Sequence, residues 1–447
     1  MKIEKFQEKL MASGLMSGFE DMEIYYVHSE RFSCQVYQGE VDQYETAVDG
    51  GISFRGIFNG KMGYAYTEKI VEDSIPYLLT KAKANAELIE EEEQDDIFEG
   101  SEEYEERDFY SEELDKVVTE DKIAFLKEVE QKIVNYDPRI KSLNACRLIE
   151  NSNERLLANS KGLVLHDRKN YLALQLSVIV KENDETKSGF TLKITKDFST
   201  LNADEMAKEA AEEALFYLGE QSIASKKYPI ILRKDAAVQL LDTFVSAFSA
   251  EVAQKGQSLL EDKVGEAIAA QNVTIVDDPF YEEGLSSRNF DGEGVASQKC
   301  TVIEKGELKT LLHNRKTARK AGVETTGHAY KSSYKGTLIV APSNFYVVAG
   351  EKTQEELIAS QAEAVFITKL SGLHSGTDTV SGDFSVAASG FYVKDGKIDA
   401  PVKQMTIAGN FFNLLKEIQE VGSDLYVSAG GIGSPSLLLK ELSVTVD

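Results

Sequence analysis

Apolar positions change period several times along the chain, and each change predicts an element. Ile3, Phe6 and Leu10 recur at helical spacing, which predicts a first helix over 3–15. Five short runs follow, at 23–27, 32–37, 41–48, 51–58 and 63–67. They are rich in β-branched and aromatic residues and punctuated by Gly39, Gly50-Gly51 and Asn59-Gly60, so they predict an antiparallel meander. From Ile70 the period returns to helix, with Ile75, Leu78, Leu79 and Ala82 facing inward. Ile123, Leu126 and Ile133 predict another helix, broken by Pro138, and strand-like runs at 141–150, 155–158, 163–167, 173–181 and 189–195 predict another sheet. Asn202 and Glu205 then read as a capping box ahead of a helix with the stripe Ala203, Ala207, Ala210, Ala214 and Leu218.

The second half opens with the short apolar run Pro229–Leu232. A helix follows with Ala237, Leu240, Leu241, Phe244, Val245 and Phe248 on one face. Strand-like runs at 273–276, 300–303, 337–340, 345–348, 365–370, 389–393 and 437–446 outnumber helices near 314–321, 354–361 and 411–421. With no regular strand–helix alternation, the class is α+β. A boundary at 220–227 separates an N-terminal α+β domain, 1–219, with antiparallel sheets and flanking helices, from a β-rich C-terminal domain, 228–447. Within the first, the stretch 87–114 carries fifteen acids and one base, Arg107, and reads as a solvated, self-repelling linker between two sub-regions.

Charge narrows the partners. Of 447 residues, 75 are acidic and 49 basic, a net charge of −26, which argues against direct nucleic-acid binding because phosphate contacts need clustered Lys and Arg. Cys34, Cys146 and Cys300 are odd in number and far apart, so neither a disulfide framework nor a zinc ribbon is supported. The first residues are charged where a signal peptide is apolar, and no apolar run is long enough to span a bilayer. The expectation is a soluble cytoplasmic protein.

The familiar catalytic motifs are missing. His28, His166, His313, His328 and His374 are scattered, and H-E-x-x-H, a Walker lysine loop and G-x-S-x-G are all absent. Gly431-Ile432-Gly433 reads as a tight turn rather than a dinucleotide loop, Asp277-Asp278 as a strand-end turn, and Asp291-Gly292-Glu293-Gly294 as a flexible connection. One glycine-rich loop gathers His374, Thr379, Gly382, Asp383 and Phe384, which makes these residues the candidates to line a cleft.

Several segments, in order and spacing, are similar to the TldD/PmbA family, once called modulators of DNA gyrase. They are Gly50-Gly51-Ile52-Ser53-Phe54-Arg55, Asn159-Ser160-Lys161-Gly162, Asp291-Gly292-Glu293-Gly294-Val295, Ser381-Gly382-Asp383-Phe384, Ile407-Ala408-Gly409-Asn410 and Gly433-Ser434-Pro435-Ser436-Leu437. The last of these, with Ser389-Gly390-Phe391, resembles the TldE (PmbA) branch. In TldD-type chains of the family a helix carries H-E-x-x-x-H, two zinc-binding histidines and a glutamate that activates water, with a cysteine near the C-terminus as third ligand. Here Asp242 and Ala247 stand at the histidine positions, Thr243 stands for the glutamate, and no cysteine follows Cys300. The resemblance implies a chain without zinc, catalytically silent alone, that pairs with a zinc-bearing TldD-like subunit in a cytoplasmic peptidase acting on unfolded peptides. It also implies a homodimer as the fallback assembly in isolation. Two other readings come from different classes: a regulatory or scaffold protein without proteolytic role, and an independent hydrolase built on His374 and Asp383.

Overall fold

The computed structural model describes residues 1–89 and 96–446. Residues 90–95, the densest part of the acidic stretch, lie outside the described residues.

The first half is built on one sheet. Strands β1 (Met22–Tyr37), β2 (Glu40–Phe58), β3 (Lys61–Thr67), β4 (Ile140–Asn159), β5 (Val164–Glu182) and β6 (Glu185–Thr195) run in the order β3-β2-β1-β4-β5-β6, every pair antiparallel. The strands expected to start a second sheet after Pro138 instead extend the first, because β1 is long enough to pair with β2 along one edge and β4 along the other. Successive side chains of a strand point to opposite faces, and β1 uses both. Ile24, Cys34 and Val36 point to helices α1 (Ile3–Met16), α2 (Ser74–Glu87), α4 (Thr119–Tyr136) and α5 (Ala203–Leu215), which cover one face along with the short α3 (Glu112–Asp115). Tyr25 and Val27 point the other way, where Leu157 and Phe290 join them and the second half docks.

Among the described residues the second half has two large sheets around one core and a small two-stranded one, 329–330 with 339–340. Strand β7 (Lys226–Leu232) lies between strand 363–371, parallel to it, and strand 437–446, antiparallel. Strand 437–446 pairs with 405–410, that with 383–394, and that with 363–371 again, so these five strands close into a barrel. Closure leaves those strands no free edge. Alternation holds here too: Ile230 and Leu232 face the main core, while Ile231 faces outward under Leu357, Ile358 and Phe391. Helix α6 (Lys234–Phe244) fills the space between the barrel and the second sheet, whose strands include 275–277, 345–347 and 432–434. The helix expected over 411–421 stops at Lys416, and 418–421 becomes a strand on 437–446.

The acidic stretch departs from a solvated linker. Ile97 and Phe109 are buried, Phe98 lies under the Arg315 guanidinium at 4.7 Å, and Asp96 pairs with Arg315 and Arg319. Tyr104 donates to the Gly294 carbonyl at 2.7 Å, and Asn289 exchanges two hydrogen bonds with the Arg107 backbone. Acids on the outside and aromatics on the inside make residues 96–109 a packed strap rather than a free chain.

Candidate functional site

Helix α6 forms because its apolar residues recur at three and four: Ala236, Ala237, Leu240, Leu241 and Phe244 are all buried. It then tightens into a 3₁₀ turn, Val245–Phe248. Phe244 stacks on Phe411 with ring centroids 4.6 Å apart, and the Phe411 N–H donates to the Gly382 carbonyl at 2.8 Å. The Gln239 side-chain oxygen accepts from the Leu370 N–H at 2.8 Å, at the end of the strand that runs into the 372–382 loop. Two regions singled out by sequence, the helix at 242–247 and the loop at 374–384, therefore share one rim of the barrel. The hairpin 426–434 packs on the same helix.

The residues at the motif positions face different environments. Asp242 opens to solvent, and partial desolvation raises its carboxyl pKa without a compensating cation. The Thr243 hydroxyl is occupied, donating to the Gln239 carbonyl one turn back at 2.8 Å. Ala247 is 1% exposed and belongs to the core. One carboxylate, one engaged hydroxyl and one methyl do not fit zinc, which takes four N, S or O donors in a tetrahedron. Among the described residues no group of three His, Cys, Asp or Glu side chains is placed to hold a metal ion.

The loop is ordered by its own backbone and by carboxylates. Asp378 accepts from the N–H groups of Val380 and Ser381 at 2.9 and 3.0 Å, which holds its pKa below the usual carboxylate value. Gly382 has φ +85°, and a Cβ there would come within 2.5 Å of the Phe412 ring, so the position demands glycine. Phe384 is buried. Asp383 accepts from Ser381 Oγ at 3.1 Å and Asn410 Nδ2 at 2.8 Å. His374 and Thr379 are exposed on turns. Ser381 and Asp383, tied by Asn410, set a hydroxyl beside a carboxylate, but the contact joins no imidazole to the pair, so it serves to order the loop rather than to build the hydroxyl–imidazole arrangement that activates a nucleophile.

Sequence reasoning missed a dense polar junction between the halves. Asp277 ends its strand as expected but is buried, accepting from the Ser343 N–H at 2.7 Å, from the Ser343 hydroxyl, and pairing with His328 Nε2 at 2.9 Å. The loop read as a flexible connection is instead fixed by the Asp291 carboxylate, which accepts from the N–H groups of Glu293, Val295 and Ala329 at 2.8 to 3.0 Å. Lys331 reaches across to Ser53 Oγ at 2.7 Å and sits 4.9 Å from the Tyr25 and Tyr64 rings; burial lowers its pKa to about 7. Arg55 and Glu23 pair beside it at 2.7 Å. The signal available in sequence was slight: Glu23, Ser53 and Arg55 interrupt apolar strands at the alternate positions that face the second half.

Residues 22–86 match the PmbA/TldA metallopeptidase domain 1, residues 112–215 the central domain, and residues 225–446 the C-terminal domain. An uncharacterised protein of Methanocaldococcus jannaschii is 30% identical, covering 97% of this chain and 98% of its own. A solved structure from Thermotoga maritima, described as a candidate modulator of a DNA gyrase, superposes with TM-score 0.92 at 32% identity, covering 99% and 100% of the two chains. TldE from Thermococcus kodakarensis shares the fold, with TM-score 0.90 at 21% identity over 98% and 100% of the chains. With the domain matches spread along the chain and relatives covered nearly end to end, the chain belongs to the PmbA/TldD metallopeptidase family.

Proposed function

We propose that this chain is the metal-free, TldE-type subunit of a two-component cytoplasmic peptidase, and that a partner bearing H-E-x-x-x-H supplies the zinc. The observation that carries the reading is the contrast at α6: the family's framework is complete around a helix whose motif positions offer one solvent-facing carboxylate, one engaged hydroxyl and one buried methyl. A framework kept without its donors suits a surface that completes a partner's cleft. His374, Thr379, Gly382, Asp383 and Phe384 then act as rim and framework of that cleft, not as catalysts, and unfolded peptides are the substrates. Among the described residues no helix is long and apolar enough to cross a membrane, in keeping with a complex that meets its substrates in solution.

The test mixes the purified chain with a zinc-bearing relative. Elemental analysis should find no stoichiometric zinc on this chain, and cleavage of an unstructured peptide should require both subunits, with light scattering showing a hetero-complex. Full activity from the partner alone, with no complex, overturns the proposal. A regulatory role toward a DNA-handling enzyme is the second reading, favoured by the gyrase-modulator description of the Thermotoga relative. Inhibition of gyrase by the chain, with no peptidase activity in any mixture, would select it.

A further inference from the structure

Strand β2 is much longer than the strand that covers its outer side. β1 pairs with it from Glu40 to Gly56, but β3 pairs only from Ile52 to Phe58, and residues 40–49 are all exposed. Tyr334 lies against Gly51 and closes the covered part. Hairpin geometry identifies which backbone groups are left open. Phe58 and Lys61 flank the two-residue turn Asn59-Gly60, with φ 52° and 73°, so they exchange the hydrogen bonds that close it. In an antiparallel strand each residue turns both its N–H and its C=O to one neighbour, alternating along the strand. Even-numbered residues of β2 therefore face the β3 side. The β1–β2 register is unbroken from Gln43 to Gly56, which carries that assignment back to Gly50, Val48, Thr46 and Tyr44. Gly50 N–H is capped by its own Asp49 carboxylate at 2.9 Å. Tyr44, Thr46 and Val48 keep open donors and acceptors along an edge that spans about 14 Å from Tyr44 to Val48.

The side chains flanking this edge select what can join it. Glu40, Asp42, Glu45 and Asp49 are acidic, with no base from 40 to 51, and Glu45 and Asp49 share one face at a spacing of four. Tyr44 and Val48, 57% and 70% exposed, share the other face at the same spacing. A second copy of this chain would bring the same four acids to the ladder, and like charges across a strand pair destabilise it.

We propose that the open edge of β2 binds an extended basic segment of another polypeptide as an added antiparallel strand. Read from its N-terminus, that segment carries the pattern base, apolar, any, any, base, apolar, placing its bases opposite Asp49 and Glu45 and its apolar residues opposite Val48 and Tyr44. The readout is binding and not cleavage, so the inference stands or falls separately from the peptidase reading.

The test uses the full chain and fluorescein-labelled twelve-residue peptides centred on Lys-Val-Thr-Thr-Lys-Val or Glu-Val-Thr-Thr-Glu-Val, followed by anisotropy at low and high salt. The lysine peptide should bind at least tenfold more tightly than the glutamate peptide and weaken with salt. Thr46→Pro removes one outward N–H without touching the β1 ladder and should weaken binding at least tenfold at an unchanged unfolding midpoint. Glu45→Lys with Asp49→Lys should invert the peptide preference, a gain that damage to folding cannot produce. Equal affinity for both peptides, no binding at all, or a homodimer that Thr46→Pro dissociates overturns the proposal.

Discussion

At the scale of single residues, the junction between the halves is held by charges removed from water, and those charges make its stability depend on pH. Glu293 is buried with its carboxylate accepting the Arg315 N–H at 3.0 Å; burial raises its pKa, the neighbouring Asp291 raises it further, and Arg55 and Arg315 oppose the shift. A carboxyl whose folded pKa is raised stabilises the fold below its unfolded value, and that contribution is lost as pH rises through the folded one. Glu293→Gln keeps an acceptor for Arg315 and does not titrate. Relative to wild type, the variant should therefore gain stability from about pH 4.5 upward, by at most about 1.4 kcal/mol per pH unit, levelling off once the native carboxyl is ionised. Urea unfolding of both proteins at a series of pH values measures the difference, and a flat difference would mean that Glu293 titrates normally. None of this was legible residue by residue: Asp277, Asp291, Glu293 and Lys331 acquire their partners through contacts as distant as 278 positions, from Lys331 to Ser53, and a lone acid next to glycine reads as a turn.

At the scale of elements, the apolar periods carried most of the information. The stripes Phe6/Leu10, Leu78/Leu79/Ala82, Leu126/Ile133 and Leu240/Leu241/Phe244 all lie on buried helix faces, because a helix must bury its apolar side wherever its partner comes from. Strand pairing was less legible, since which edge β4 meets depends on the length of β1 and not on any local signal. The strap at 96–109 misled for a different reason: its charges dominate the composition, while its anchors are a few aromatics. Phe109→Ala should cost about 3 kcal/mol or more in unfolding free energy. Glu102→Ala and Glu103→Ala, at exposed positions, should stay within about 0.5 kcal/mol of wild type. Helix α6 gives a second contrast. Restoring the zinc motif by Asp242→His, Thr243→Glu and Ala247→His should not produce a metal-binding chain, because position 247 points into the core. The larger side chain there should instead destabilise the protein by about 1–3 kcal/mol, readable in zinc titration and thermal unfolding of the same sample.

At the scale of the whole molecule, the α+β class followed from counting strands against helices, whereas the closure of the barrel did not. No pattern along the chain says that β7 has strand 363–371 on one side and strand 437–446 on the other; only the three-dimensional register does. That closure sets an order of events during synthesis. The first half owns its sheet and helices and can complete them as soon as α5 is made. Strand β7 emerges next and must wait from Leu232 until Leu437 for its second neighbour. At about 5–20 residues per second, its apolar residues Ile230, Ile231 and Leu232 stay without that partner for roughly 10–40 s on the ribosome. The barrel strand made first is thus among the last to be enclosed, and during that interval the nascent chain depends on chaperones or on transient burial against α6.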